Sequence, residues 1–322
     1  MPTIPLSTLG YNTHLFGENL ISRIGGTFYQ DDRRAQIIQT KINSSGADTV
    51  GLVEVWSDTL ATNIINGVRE LYPYSYRPPV DTSILNLKPM GHGLLLLSKY
   101  PLSEQNFYHY NNLSDFDDFS LKGILTAKAE LPNPSAGGNP IKVRFFLTHT
   151  QAAYTNNSYE TIRLANIGQL ADTVRDYQTG RAYNKDTDIP IFTFGDFNVI
   201  AEIQATGEQT SEYQKMMNFF EEVQLTDSYR KLHGNFNQFP GYTYFSDGVN
   251  QPNKLITKFA STDAKDKVHQ RLDYIFYSQK GSAITVTPTE AQVLGGYTYP
   301  DGGEDMDLSD HEPLWGKFNL EI

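Results

Sequence analysis

Apolar positions along this chain switch repeatedly between a two-residue and a 3.6-residue period, with no repeat of fixed length and no low-complexity tract. A short strand ends near Tyr11. Residues 31–45 open with Asp31 and Asp32 and set Ala35, Ile38 and Ile42 at helical spacing before Gly46, which predicts a helix. Residues 50–55 read as a short apolar strand, and Asp58 as the N-cap of a helix whose Leu60, Ile64, Val68 and Leu71 share one face. The run at 93–98 is that of a strand covered on both faces, whereas 121–131 and 141–149 alternate; the breaker-rich stretch 132–140 between them predicts a hairpin. Helices are expected at 159–177 and 212–223, and further strands at 189–194, 272–277 and 314–320. Breakers are spread evenly and no Pro/Gly/Ser linker separates two halves, so residues 1–322 read as one large α/β domain with two sheets.

Composition narrows the chemistry. With 39% hydrophobic and 20% charged residues there is enough apolar material for a sizeable core, and intrinsic disorder is excluded. The 26 Lys+Arg against 37 Asp+Glu give a net charge of -11, a field that repels phosphate-rich ligands unless a local group or bound cation reverses it. A generic nucleic-acid coat does not fit. The absence of cysteine excludes disulfides, thiolate zinc sites, iron–sulfur clusters and a cysteine nucleophile. No run approaches the ~18 apolar residues of a membrane span, and the N-terminus lacks a basic n-region. The expectation is a soluble globular chain, whether or not a processed leader precedes it; the compartment stays open, because secreted proteins also dispense with disulfides.

Hydrophilic residues recur at the ends of apolar strands: Asn12, Glu54, His149, Asp196, Asn198, Asp273, Asp310 and His311. Strand ends are where a rigid sheet can aim a side chain into a cleft. Each has a plain alternative. Asn12 suits a turn, Glu54 an internal salt bridge, His149 a structural hydrogen bond, Gly195-Asp196-Phe197-Asn198 a turn, and Ser309-Asp310-His311 an exposed loop. In extended geometry Asp196 and Asn198, two residues apart, would point the same way. Taken together, two histidines, several carboxylates and two amides can supply a hard-cation site beside a general acid–base pair.

The order YNTH, VEVW, THTQ, GDFN, RLDY and SDH, across residues 9–318, resembles the endonuclease/exonuclease/phosphatase superfamily, with its DNase I-like fold. Within it the chain is similar to the sphingomyelinase-type phosphodiesterases, on THTQA at 148–152, LKGILTAKAEL at 121–131, LTDSYRKLHG at 225–234 and GYTY at 241–244. The resemblance implies a four-layer αββα sandwich, two packed mixed β-sheets flanked by helices, with strand-end residues lining one cleft. It implies a metal-dependent phosphodiesterase: charge on the phosphate must be neutralised, water deprotonated and the leaving oxygen stabilised. On that reading Glu54, with Asn12 nearby and Asp310 contributing, holds Mg²⁺, with Mn²⁺ or Co²⁺ as substitutes. His311 is the general base, oriented by Asp273; Asp196 and Asn198 position water or phosphate; His149 donates to the phosphate oxygens. Lys122 is a phosphate contact by resemblance, against an exposed strand lysine as the plain alternative. The expected partner is a phosphodiester, a phospholipid at a membrane surface or a nucleic acid; a phosphatase of soluble or inositol phosphates and a non-catalytic binding module are the other readings. Bacterial sphingomyelinases carry bulky exposed aromatics on a hairpin before the SDH block, where this chain offers Tyr297 and Tyr299 but no Trp or Phe, so insertion into an anionic bilayer is not expected.

Overall fold

The structure, a computed structural model, describes residues 2–17, 30–80, 90–135, 137–152, 157–182, 187–245, 268–301 and 303–322. One six-stranded sheet contains β1 (Thr3–Leu15), β2 (Thr49–Val55), β3 (Tyr74–Tyr76), β4 (Leu95–Ser98), β13 (Thr285–Val293) and β16 (Leu314–Glu321), in the order β13-β16-β1-β2-β4-β3. The other contains β5 (Leu102–His109), β6 (Gly123–Leu131), β7 (Ile141–His149), β8 (Ile191–Asp196), β9 (Thr226–Asp227) and β12 (Asp273–Ser278), in the order β5-β6-β7-β8-β12-β9. Both are mixed: β1 runs parallel to β2 and β7 parallel to β8, while the remaining pairs are antiparallel. Two ribbons complete the strands, β10 (Tyr244–Phe245) with β11 (His269–Gln270) and β14 (Thr298–Asp301) with β15 (Glu304–Asp307).

Alternation along each strand decides which residues meet. Leu6, Val53 and Leu96 of the first sheet interdigitate with Leu125, Phe145, Phe194 and Ile275 of the second. On the outer face of the first sheet, Leu9, Leu52 and Leu97 pack under Ile38, Ile42 and Ile64 of α1 (Asp31–Ser44) and α2 (Asp58–Val68). On the other, Ile124, Phe146 and Phe276 pack under Leu170, Val174, Met216 and Phe220 of α3 (Asn157–Gln178) and α4 (Ser211–Glu221). The result is the expected α/β/β/α layering. Each fully buried Leu, Ile or Phe contributes about 1.5–3 kcal/mol relative to exposure. The sheets pack closely at Gly51, where a Cβ would lie 2.2 Å from Phe194 and 2.6 Å from Leu147.

Three expectations are corrected. The N-cap of α2 is Ser57, whose hydroxyl accepts from Leu60 N–H, while Asp58 is the first helical residue and pairs with Arg77 at 2.7 Å. The edge strands β5 and β13 lie where no strand was expected, because much of each faces solvent and their sequences lack an apolar run. Tyr297 and Tyr299 are buried rather than displayed: the β14–β15 region folds onto α1, with Lys41 over one ring and Arg33 over the other, each 5.5 Å from the centroid. Among the described residues no helix is long and apolar enough to cross a membrane.

Candidate active site

The expected residues converge where strands of both sheets end. In the second sheet, His149 lies opposite Asp196 across β7–β8 and Asp196 opposite Asp273 across β8–β12, so three neighbouring strands deliver three functional groups in a row. From the first sheet, β1 delivers Asn12, β2 delivers Glu54, and the loop before β16 delivers Asp310 and His311. Asn12 joins the two sheets: its Nδ2 donates to Glu54 Oε1 and to Asp196 Oδ2, both at 2.9 Å.

The local backbone is bent to serve these positions. Glu54 (φ 57°), His14 (φ 49°) and Asn198 (φ 51°) all occupy the left-handed region, at a cost of order 1–3 kcal/mol each that the surrounding bonds must offset. Gly195 has φ 132°, and a Cβ there would sit 2.0 Å from the Thr148 carbonyl oxygen, which explains the glycine before Asp196. Asn198 does not extend the strand beside Asp196 as its spacing suggested. The chain turns, and Asn198 N–H donates back to Asp196 Oδ1 at 2.8 Å.

Two opposed charge environments result. His311 Nδ1 lies 2.7 Å from Asp273 Oδ2, and its Nε2 lies 3.7 Å from Asp196 Oδ2. Burial alone would favour neutral imidazole, but Asp273 and Asp196 outweigh it and hold the His311 pKa well above the ordinary range. Burial and the facing Asp273 carboxylate push Asp196 up to about 7. Burial also opposes ionisation of Glu54, yet His14, hydrogen-bonded to it, overrides this, and its carboxyl stays well below the usual range. His149 is driven well below its ordinary value by burial and by Lys122.

Lys122 is not an exposed strand lysine. It is 1% exposed, pairs with Asp117 at 2.8 Å, and places Nζ 3.1 Å from His149 Nε2 and 3.0 Å from the Thr150 carbonyl. An ammonium can only donate, so His149 Nε2 accepts and the ring proton resides on Nδ1. Glu54, His149 and Asp196 offer ligand atoms within 4.8 Å of one another, as do Asp196, Asp273 and His311. A hard divalent cation fits this donor set, because carboxylate oxygens predominate in it.

Sequence reasoning missed His14, whose Nδ1 stands 3.4 Å from both Glu54 Oε2 and Asp310 Oδ1. It also missed Asp117, and Ser309, which donates to the Asn12 carbonyl at 2.7 Å and so ties the His311 loop to β1. His14 was visible as the last letter of YNTH. Nothing in the sequence paired Asp117 with Lys122.

A four-layer sandwich with carboxylates, amides and histidines gathered at the ends of its central strands defines a class of α/β proteins with one polar cleft between two sheets. The chain belongs to the Endonuclease/Exonuclease/phosphatase family, whose profile matches residues 9–311. It is 22% identical over 331 residues to sphingomyelinase C 2 of Leptospira interrogans, a match covering 97% of this chain and 46% of that protein. A putative neutral sphingomyelinase of Caenorhabditis elegans is 23% identical over 292 residues, covering 85% of this chain and 58% of that protein; the chain thus spans about half the length of these curated relatives. Among solved structures, a beta toxin variant from Staphylococcus aureus with bound magnesium ions superposes with a TM-score of 0.66 at 20% identity, covering 97% of this chain and 99% of that one. D. rerio TDP2 complexed with single strand DNA product gives 0.65 at 15% identity, with 98% of each chain covered.

Proposed function

We propose that this chain is a Mg²⁺-dependent phosphodiesterase of the phospholipase C type, acting on sphingomyelin or a related phosphodiester. The observation that carries the reading is the convergence of Glu54, Asp196, Asp273 and His311, from both sheets, in one polar cluster. Glu54 would hold the cation, with Asp310 beside it and Asn12 orienting Glu54 and Asp196; when bound, the cation supplies Lewis-acid neutralisation of the phosphate oxygens. His311 takes the proton of the attacking water through Nε2, while Asp273 holds the ring by Nδ1. Asp196 and Asn198 orient water and phosphate. Donation to the phosphate was expected of His149; its Nε2 accepts from Lys122 Nζ, so a proton given to the phosphate would come from Nδ1, while Lys122, bonded to Asp117, His149 and the Thr150 carbonyl, holds the ring in place.

Two observations bear on the substrate. In the densest basic cluster, Arg230, Lys231 and His233, the guanidinium of Arg230 is already engaged, by Glu202 at 2.6 Å and by the carbonyls of His233, Phe239 and Pro240. This weighs against a nuclease. Burial of Tyr297 and Tyr299 weighs against deep bilayer insertion and favours a headgroup taken from the surface. The test is a parallel assay on sphingomyelin, DNA and bis(p-nitrophenyl) phosphate, each with Mg²⁺ and with EDTA. Turnover of sphingomyelin and the soluble diester with Mg²⁺ alone is expected; turnover in EDTA, or of DNA only, contradicts the reading.

A further inference from the structure

We propose that Thr243 is a positioning residue that sets the distance and angle between His311 and Asp273, an inference that rests on the catalytic reading of that pair. Thr243 is wholly buried. Its Oγ1 instead accepts from two backbone N–H groups at the start of β12, those of Leu272 and Asp273, each at 3.1 Å. Its carbonyl accepts from Glu312 N–H at 2.7 Å, one residue past His311, and its own N–H donates to the Gln270 carbonyl at 2.9 Å. The next residue, Tyr244, forms an antiparallel bridge with His311, and the two rings lie 5.4 Å apart. One residue therefore holds both halves of a pair that stand 38 positions apart in the chain.

The approach of this segment is itself fixed. Gly241 has φ 71°, and a Cβ there would lie 2.4 Å from the Tyr229 ring, so the chain reaches Thr243 along a path only glycine allows without displacement. Of the four bonds Thr243 makes to this region, the carbonyl and N–H bonds survive any side-chain change; the two to Oγ1 do not. Thr243→Val keeps the shape and leaves the Leu272 and Asp273 N–H groups without their acceptor. The start of β12 is then free to shift, and a misplacement of about 1 Å between reacting groups costs on the order of 10²-fold in rate.

Two measurements decide it. In Mg²⁺-dependent hydrolysis of bis(p-nitrophenyl) phosphate, Thr243→Val is expected to lower kcat about 10²-fold with KM within about twofold, and Thr243→Ser, which restores the acceptor, to recover most of the loss. Independently of turnover, the downfield proton resonance of His311 Nδ1–H bonded to Asp273 is expected in the parent, lost or shifted in Thr243→Val and restored in Thr243→Ser. If Val does not fold, Thr243→Ala takes its place in both. A folded Val or Ala variant with parental kcat and a parental resonance overturns the proposal, as does a Ser variant as impaired as Val. A parent inactive on the diester refutes the catalytic reading alone, since the resonance still reports whether Thr243 positions the pair.

Discussion

At the scale of single residues, the site works through unequal treatment of like groups. Glu54 is held ionised and Asp196 is pushed up to about 7, although both carboxylates contact the same Asn12 amide. Burial opposes ionisation of both, and the difference lies in their neighbours. Glu54 is hydrogen-bonded to His14, whereas Asp196 is raised by burial and by the Asp273 carboxylate. Glu54→Gln keeps the shape and removes the charge, so metal-dependent turnover should vanish while the circular dichroism spectrum and unfolding transition stay near parental; retained activity would end the assignment. On the proposed reading, in which His311 is the general base, His311→Ala should lower kcat by roughly 10²–10⁴-fold with a modest change in KM. An effect on KM alone would count against the base. The sign of the pH dependence follows from the raised His311 pKa: the imidazolium must lose a proton before it can accept one, so kcat/KM should climb with pH through that elevated value. Asp273→Asn removes the first of the carboxylates that raise it, so the ascending limb should move to lower pH while the maximum falls.

At the scale of elements, the strands act as rulers. Register places His149, Asp196 and Asp273 abreast, and the turn after β8 is drawn tight by Gly195. Gly195→Ala combines an unfavourable backbone angle with a collision against the Thr148 carbonyl, and should destabilise the protein by at least about 2 kcal/mol in denaturant unfolding. A change below about 0.5 kcal/mol would mean that the turn yields freely. GLLLLS at 93–98 was legible in the sequence because both of its faces pack, and β6 and β7 through their alternation, although that pattern implied one solvated face and the structure buries nearly every residue of both. The site residues stood out as polar interruptions of those same strands. The edge strands β5 and β13 were hidden because solvent takes one side of them, and Ser57 was overlooked as a cap because Asp58 and Ser57 are equally good cappers one position apart. Asn198 misled for a related reason: spacing by two implies a shared direction only while the strand continues, and β8 stops at Asp196. His14 sits where the register of β1 is interrupted and Thr243 lies just before β10, and residues at such irregular positions carry no periodic signal.

At the scale of the whole molecule, the two packed sheets bring together polar side chains that span residues 12 to 311. The net charge of -11 fits that arrangement: a pocket walled by carboxylates repels an anionic diester until a cation compensates it, so substrate affinity and cation affinity should be linked. Lys122, buried between Asp117 and His149, is the cationic side chain fixed within hydrogen-bonding distance of the site's histidine. The most direct test of the central claim is an anomalous difference map from crystals of the protein soaked in Mn²⁺. The account predicts a peak at about 2.1 Å from a Glu54 carboxylate oxygen, inside the cleft bounded by Asp196 and Asp310, that disappears in Glu54→Gln. A map with no peak at that position, or one unchanged by the substitution, would contradict it.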